Sequence, residues 1–349
     1  MKIALITGSC GLVGSESAIF FSKKGFKIIG IDNNARKFFF GKDGDVTWVK
    51  NKLKTDLKNY SHFNADIRNF KSLKKIFKKY KKNIKVIIHA AAQPSHDWAK
   101  NKPFTDFDIN AKGTLNLLEL TKLYVPKAPF IFMSTNKVYG DNPNKLPLKE
   151  KKTRWELKKS HKFYNGIDEN MSIDNCTHSF FGASKSYADL IVQEYGKNVK
   201  LKTVCFRAGC ITGPNHSGAK LHGFLSYLVK SALLNKNYTL IGYKGKQVRD
   251  NIHSQDLAAC FWEFYKKPGF GEVYNVGGGR YSNCSIVEAL NLVEKISKIK
   301  IKRKILANSR VGDHVWYITD MKKFKKKYPL WKQKYSSLRI IKELINEFS

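Results

Sequence analysis

The stretch KIALITGSCGLVGSESAIFFSKKGFKIIGID, residues 2–32, constrains the fold more than any other. A short apolar run over residues 2–7 ends in glycines, a helical pattern follows to Gly25, and a second apolar run occupies residues 27–32. Gly8, Gly11 and Gly14 stand in GxxGxxG spacing between the first strand and the helix. Glycines there let the backbone come close to a pyrophosphate, and the helix N-terminus offers amides and the positive end of its dipole. The spacing alone would also suit a plain tight turn. Asp32 shifts the balance, because it ends the second strand 18 residues after Gly14. A carboxylate at that place accepts hydrogen bonds from adenosine ribose hydroxyls and disfavours a 2′-phosphate. The expected cofactor is therefore NAD rather than NADP, with Arg36 the residue that pulls the other way.

The same alternation continues along the chain. VIIHAAA (86–92), FIFMST (130–135) and KTVCFRAG (202–209) read as buried strands. Helical patterns lie between them, at 105–124 and at 184–195, where Tyr187, Leu190, Ile191 and Tyr195 share a face. This order predicts an α/β fold, a Rossmann-type doubly wound parallel sheet. Two regions break the pattern. Residues 140–178 form a long polar stretch, the kind of loop that is usually functional in a compact domain. After residue 209 the alternation loosens, which predicts a smaller C-terminal substrate-binding lobe. The expected division is a cofactor domain over 1–209, with 250–280 returning to it, and a lobe made of 210–249 and 281–349.

Composition narrows the function classes. No apolar run approaches the roughly 18 residues of a membrane span, and the short run at the start leads straight into the glycines, unlike a signal peptide. The six cysteines are scattered without a CxxC pair, as expected for reduced thiols in a cytoplasmic protein without a metal site. The formal net charge is +36, but only nine of the 64 basic residues are Arg. In KSLKKIFKKYKKN (71–83), Leu73, Ile76, Phe77 and Tyr80 keep helical spacing while Lys fills the water-facing positions. Such charge predicts no specific nucleic-acid partner and no membrane partner, though it would attract a small anionic substrate.

GxxGxxG, Asp32, DIR (66–68), HAAA (89–92), Asn110, STNKVYG (134–140) and Lys185 together resemble the extended short-chain dehydrogenase/reductase superfamily, over nearly the whole chain. That superfamily holds NAD-dependent nucleotide-sugar epimerases and dehydratases. STNKVYGD, GTLNLLE (113–119) and GKQVRD (245–250) are most similar to its CDP-paratose 2-epimerase branch. The resemblance implies roles position by position. Gly8, Gly11, Leu12, Val13 and Gly14 would hold the pyrophosphate. Asp32, Asn33 and Arg36 would surround the adenosine ribose, and Asp66 and Ile67 the adenine. Ala90, Ala91, Ala92, Asn110 and Lys185 would serve the nicotinamide side. Thr135 matches a hydroxyl that touches the substrate sugar, with Gln93, Ser134, Asn136, Lys137, His178 and Arg207 around it. Arg249 matches an arginine that clamps the diphosphate, a task suited to a guanidinium fork. His216 and His222 fall in the segment that would meet the nucleotide. Arg310 and Asp313 match two positions of a closing RxxDxR segment, whose second arginine is Val315 here. The helices near 105–124 and 184–198 imply a homodimer or homotetramer.

One position departs from the pattern. In HSFFGASK (178–185), the residue four before Lys185 is Phe181, where the superfamily places a proton-carrying Tyr. Three readings stay open. Lys185 acting through a water, or His178 or Cys176, could carry the proton instead. The fold could bind a nucleotide sugar without turning it over. Phe could also be an engineered isosteric knockout. The leading expectation is an NAD-dependent nucleotide-sugar epimerase acting at C2 of a CDP-hexose, with Thr135, Lys185 and the Phe181 position as the catalytic set. The alternatives are a 4-epimerase, a dehydratase, or an impaired NAD and nucleotide-sugar binder. Dehydration usually needs Asp-Glu directly after the threonine, where this chain has Asn136 and Lys137.

Overall fold

The computed structural model describes residues 1–216, 223–306 and 312–349. Its centre is a seven-stranded sheet made of β1 (Ile3–Thr7), β2 (Lys27–Ile31), β3 (Tyr60–Phe63), β4 (Ile84–His89), β5 (Phe130–Thr135), β6 (Thr203–Ala208) and β7 (Glu272–Val276). The spatial order is β7-β6-β5-β4-β1-β2-β3, and every neighbouring pair is parallel. This is the doubly wound sheet expected from the alternation. Its order reverses between β1 and β4, which opens a crevice at the carboxyl ends of those strands. Register places the site there. Thr7 pairs with Ile31 on one side and His89 on the other, so the turn at Gly8, Asp32 and Ala90 leave the sheet at one level.

Side-chain alternation along each strand feeds two cores. On β1, Ala4 and Ile6 face one cluster, with Phe21, Phe26 and Phe261, while Ile3 and Leu5 face the other, with Leu73, Phe77 and Leu117. A third core belongs to the C-terminal lobe, where Leu225, Leu228, Leu290, Ile341 and Leu344 pack together. These come from the helices Phe224–Leu233, Ile286–Ser297 and Ser337–Phe348. The stretch 281–349, expected to lie wholly in the lobe, is divided. Met321, Phe324, Tyr328 and Trp331 pack into the first sheet core beside Phe206 and Tyr274, because these large apolar groups cover the face of β6 and β7.

The polar stretch 140–178 is a packed brace. Leu157, Ile167 and Met171 bury against Val138, Val248, Trp316 and Ile318, and Ile167 bridges Thr319. The helical region 105–124 is also more structured than its periodicity suggests, since one π-helical turn, Asp108–Lys112, interrupts it. Such single turns re-aim side chains, and this one carries Asn110. No helix among the described residues is long and apolar enough to cross a membrane.

Candidate active site

A single cavity of about 460 Å³ runs from the glycine turn, past the ends of β4 and β5, to the lobe. At its cofactor end the backbone is packed against backbone. Gly8 has φ +67°, and a Cβ there would stand 2.6 Å from the Ala91 amide; at Gly14 one would stand 2.1 Å from the Gly8 carbonyl oxygen. Any side chain at these two positions would push the turn off the sheet. Asp32 is fixed by two amides, from Cys10 at 2.9 Å and Asn34 at 2.8 Å. Burial raises its pKa, and those amides draw it back. Burial likewise lowers Arg36 to about 10, against the attraction of Asp32. Asp66 is gripped by Arg68, whose Nη2 donates at 2.7 Å, and by Asn33 at 3.0 Å. Burial opposes its ionisation, yet Arg68 holds its carboxyl below the usual range. Leu12, Val13, Ile67 and Ala90 to Ala92 complete this lining.

At the middle of the cavity the end of β5 meets the helix Phe180–Lys197. Thr135 Oγ1 accepts a hydrogen bond from the Lys137 amide at 3.2 Å. Lys185 Nζ donates to the Met133 carbonyl at 2.8 Å and lies 4.1 Å from the centre of the Phe132 ring. Burial pushes the Lys185 ammonium down to about 8, with the Asp189 carboxylate pulling the other way. Phe181 lines the cavity within the same helix, so a group with no proton to exchange stands one turn from the ammonium. Ser134, Asn136 and Lys137 line the wall, and Lys137 Nζ donates to the Gly312 carbonyl at 2.8 Å. At the lobe end, Arg249 and Asp313 form an ion pair. His216 lines the same end, its ring against Gly223 and its Nδ1 3.3 Å from Ser226 Oγ.

Four expected contacts do not reach the cavity lining. Gln93 is buried, its amide donating to the Ser95 carbonyl and the Asp106 carboxylate. Asn110 braces the same loop, through the Gln93 carbonyl at 3.1 Å and Ser184 Oγ at 3.1 Å. Arg207 pairs with Asp189 through Nε and Nη2 and donates to the Tyr139 hydroxyl; in a buried setting its charge demands that partner. His178 sits 2.9 Å from the Ile173 carbonyl oxygen and 3.4 Å from Cys176 Sγ, within the brace. Cys176 presses on Gly140. The brace thus holds its own thiol and imidazole away from the cavity. His222 and Arg310 lie outside the described residues.

The sequence model of the NAD dependent epimerase/dehydratase family matches residues 4–277. The chain belongs to that family. Its cofactor is NAD. The chain is also 32% identical over 330 residues to CDP-paratose 2-epimerase of Salmonella typhi, covering 93% of this chain and 92% of that one. It is 28% identical to UDP-glucuronate 4-epimerase of Thermodesulfobacterium geofontis, covering 88% and 84%. Among solved structures, UDP-glucose 4-epimerase of Thermotoga maritima with UDP-glucose superposes with a TM-score of 0.79 at 22% identity, over 99% of this chain and 98% of that one, which is a likeness of fold.

Against that family background, the structure adds residues that the motifs did not single out. His96 lines the cavity beside Phe181, with ring centres 4.9 Å apart. Trp98 contacts Phe39, which lines the cofactor end. Cys210 and Gln247 join the lobe end. A signal for His96 was present in the sequence. It follows β4 within AAQPSHDWAK, at the carboxyl edge that binds ligands in such sheets.

Proposed function

We propose that the protein is an NAD-dependent nucleotide-sugar epimerase that acts at C2 of a CDP-hexose such as CDP-paratose. The observation that carries this reading is the continuity of the cavity, from Asp32 and the glycine turn through Thr135 and Lys185 to Arg249. A dinucleotide fits the first part. Gly8, Gly11 and Gly14 would take its pyrophosphate, Asp32 its ribose, Asp66 its adenine edge, and Lys185 the ribose beside the nicotinamide. The second part suits a sugar joined to a nucleoside diphosphate, with Thr135 at the sugar and Arg249 at the phosphates. When bound, NAD would supply the oxidising and reducing power for hydride transfer at the sugar carbon.

The protein's own groups do the rest. Lys185 places a positive charge where the ribose and a developing alkoxide need it. Thr135 orients the sugar hydroxyl. Asn136 and Lys137, in place of two carboxyl groups, give no acid–base pair for dehydration, which favours epimerisation over the dehydratase alternative. The 32% identity to a CDP-paratose 2-epimerase over nearly the whole chain supports the C2 position and the CDP moiety. A cytoplasmic homodimer accompanies this reading. Leu123, Tyr187 and Leu190 leave an apolar face exposed on the two helices expected to pair, and sedimentation would test it.

The deciding experiment has two parts. Denaturing the purified protein should release NAD(H), and turnover should then be followed by NMR with CDP-paratose, UDP-glucose and UDP-glucuronate. Inversion at C2 of the CDP-sugar supports the reading. Inversion at C4 of a UDP-sugar would replace it with the 4-epimerase, and no turnover on any of them would leave a binding protein.

A further inference from the structure

We propose that Gln247 selects the base of the nucleotide sugar, its Oε1 accepting a hydrogen bond from the exocyclic amine of cytosine. The inference deepens the nucleotide-sugar reading and rests on it. The strand Val248–His253 leads to the place where a base would lie. Its far end, Asn251 to His253, pairs with Cys210 to Thr212, which follow β6. Stepping back along it from Arg249 therefore leads away from the cofactor and into the lobe. Side chains two apart on extended backbone share a face, roughly 7 Å from one another, and Arg249 and Gln247 both line the cavity. With the diphosphate at Arg249, the next group outward is the nucleoside. Phe224, Tyr238, Leu240 and Ile286 line this end as well, and such apolar side chains suit the flat faces of a base.

The amide of Gln247 is oriented by backbone. Its Nε2 donates to the Ile241 carbonyl at 3.1 Å. A carbonyl only accepts, so the nitrogen is the atom that faces it, and Oε1 takes the other arm of the amide. The turn Tyr243–Gly245 joins the two segments; Gly245 has φ +74°, and a Cβ there would stand 2.5 Å from Leu240 Cδ2. One tight turn thus sets the amide against the strand Tyr238–Ile241. Gln247 is 5% exposed, and its Oε1 is buried and accepts from no group among the described residues. A bare buried acceptor is unfavourable, so this one calls for a donor from the ligand.

The two common pyrimidines differ at the group concerned. Cytosine carries an amine at C4, a donor, where uracil carries a carbonyl oxygen, an acceptor. The amine gives Oε1 its proton, whereas the uracil oxygen would set lone pair against lone pair. Uracil also has a ring N–H at N3, flanked by two carbonyl oxygens. Oε1 is recessed in the wall, where a projecting amine reaches and a ring edge does not.

The test uses the full chain with its bound NAD, and calorimetry with three nucleotides: CDP, UDP, and the CDP analogue in which hydrogen replaces the amine. The wild type should bind CDP about 10–100-fold more tightly than either of the others, as expected for one buried acceptor gaining or losing its donor. Gln247→Met keeps an unbranched side chain without the oxygen. It should bring the CDP to UDP ratio near one and leave the NAD content unchanged. If the wild type favours CDP and Gln247→Met keeps that preference, the inference falls and the CDP reading stands. An amine-free analogue that binds the wild type as tightly as CDP would overturn the inference whether or not the variant folds. UDP bound as tightly as CDP would remove both the inference and the CDP moiety, leaving the nucleotide-sugar epimerase. A protein that binds none of the three would lose the nucleotide-sugar reading itself.

Discussion

Arg249 and Asp313 pair in the wall of the cavity, the arginine coming from the strand Val248–His253 and the aspartate from the segment after residue 311. A second guanidinium nitrogen donates to the Val248 carbonyl at 2.8 Å. Held at two points, the fork would be aimed before a diphosphate arrived, as the proposed function requires, and that would reduce the ordering entropy of binding. Arg249→Ala should therefore weaken nucleotide-sugar binding by about 2–5 kcal/mol, the cost of breaking a partly buried charged contact. Calorimetry with CDP should show the loss, while the NAD content stays as in the wild type. An equal loss of both ligands would mark Arg249 as a structural residue.

Lys185 gives a prediction about pH. Its folded pKa is about 8, against an ordinary 10.5, so between these values the unfolded chain binds more protons than the folded one. Stability then rises with pH across that window. The burden of a buried ammonium is fully present below about 8 and is relieved as pH approaches 10.5, with a span of roughly 3 kcal/mol. Lys185→Met lacks this titration. The stability of the cofactor-free wild type relative to Lys185→Met should climb between pH 8 and 10.5 in urea unfolding. A difference that stays flat would show that Lys185 keeps its ordinary pKa. Turnover should be lost in Lys185→Met at every pH.

Much of this was legible in the sequence because the informative features are local. Glycine spacing, the terminal Asp32 and the apolar runs each encode backbone geometry within a few residues, and the parallel sheet follows from their order. What was not legible depends on contacts between distant segments. Arg207 reads like a substrate residue until Asp189 and Tyr139 are seen to take its donors. His178 adjoins Phe181 in sequence, yet the brace turns its ring to Ile173. His96 is 85 residues from Phe181 in the chain and reaches it only through the order of β4, β5 and the helix after the brace. Met321 to Trp331 look like a lobe tail because their Lys-rich surroundings hide four large groups that cover β6 and β7.

Asp32 should set the choice between the two dinucleotides. Its oxygens accept the Cys10 and Asn34 amides, and each retains a lone pair for a ribose hydroxyl. Asp32→Ala removes both acceptors and leaves Arg36 at the cavity wall, where a 2′-phosphate would meet a cation. The variant should retain less NAD after purification, and its preference for NAD over NADP should narrow in competition binding. An unchanged ratio of the two affinities would remove Asp32 from cofactor selection.

The last prediction concerns the clasp above the cofactor end. The helix Ala35–Phe40 follows β2 and the helix His96–Asn101 follows β4, so they stand on either side of the glycine turn that follows β1. Their aromatic rings meet: Phe39 and Trp98 lie 4.8 Å apart at 62°, and Phe38 and Trp98 lie 5.7 Å apart at 74°. Both are edge-to-face contacts, each worth about 0.5–1.5 kcal/mol beyond the area they cover. Phe39 lines the cavity and packs against the second sheet core, while Phe38 is largely exposed, so the contact ties the cavity wall to the surface. Trp98→Ala should lower the unfolding free energy of the cofactor-free protein by about 1–3 kcal/mol, the sum of the two ring contacts. It should quicken the release of NAD by about tenfold, the rate equivalent of roughly 1.4 kcal/mol. Exchange of bound NAD against an isotopically labelled pool measures that rate directly. A variant that releases NAD at the wild-type rate would show that the clasp is not what retains the cofactor, and retention would then fall to Asp32 and the glycine turn.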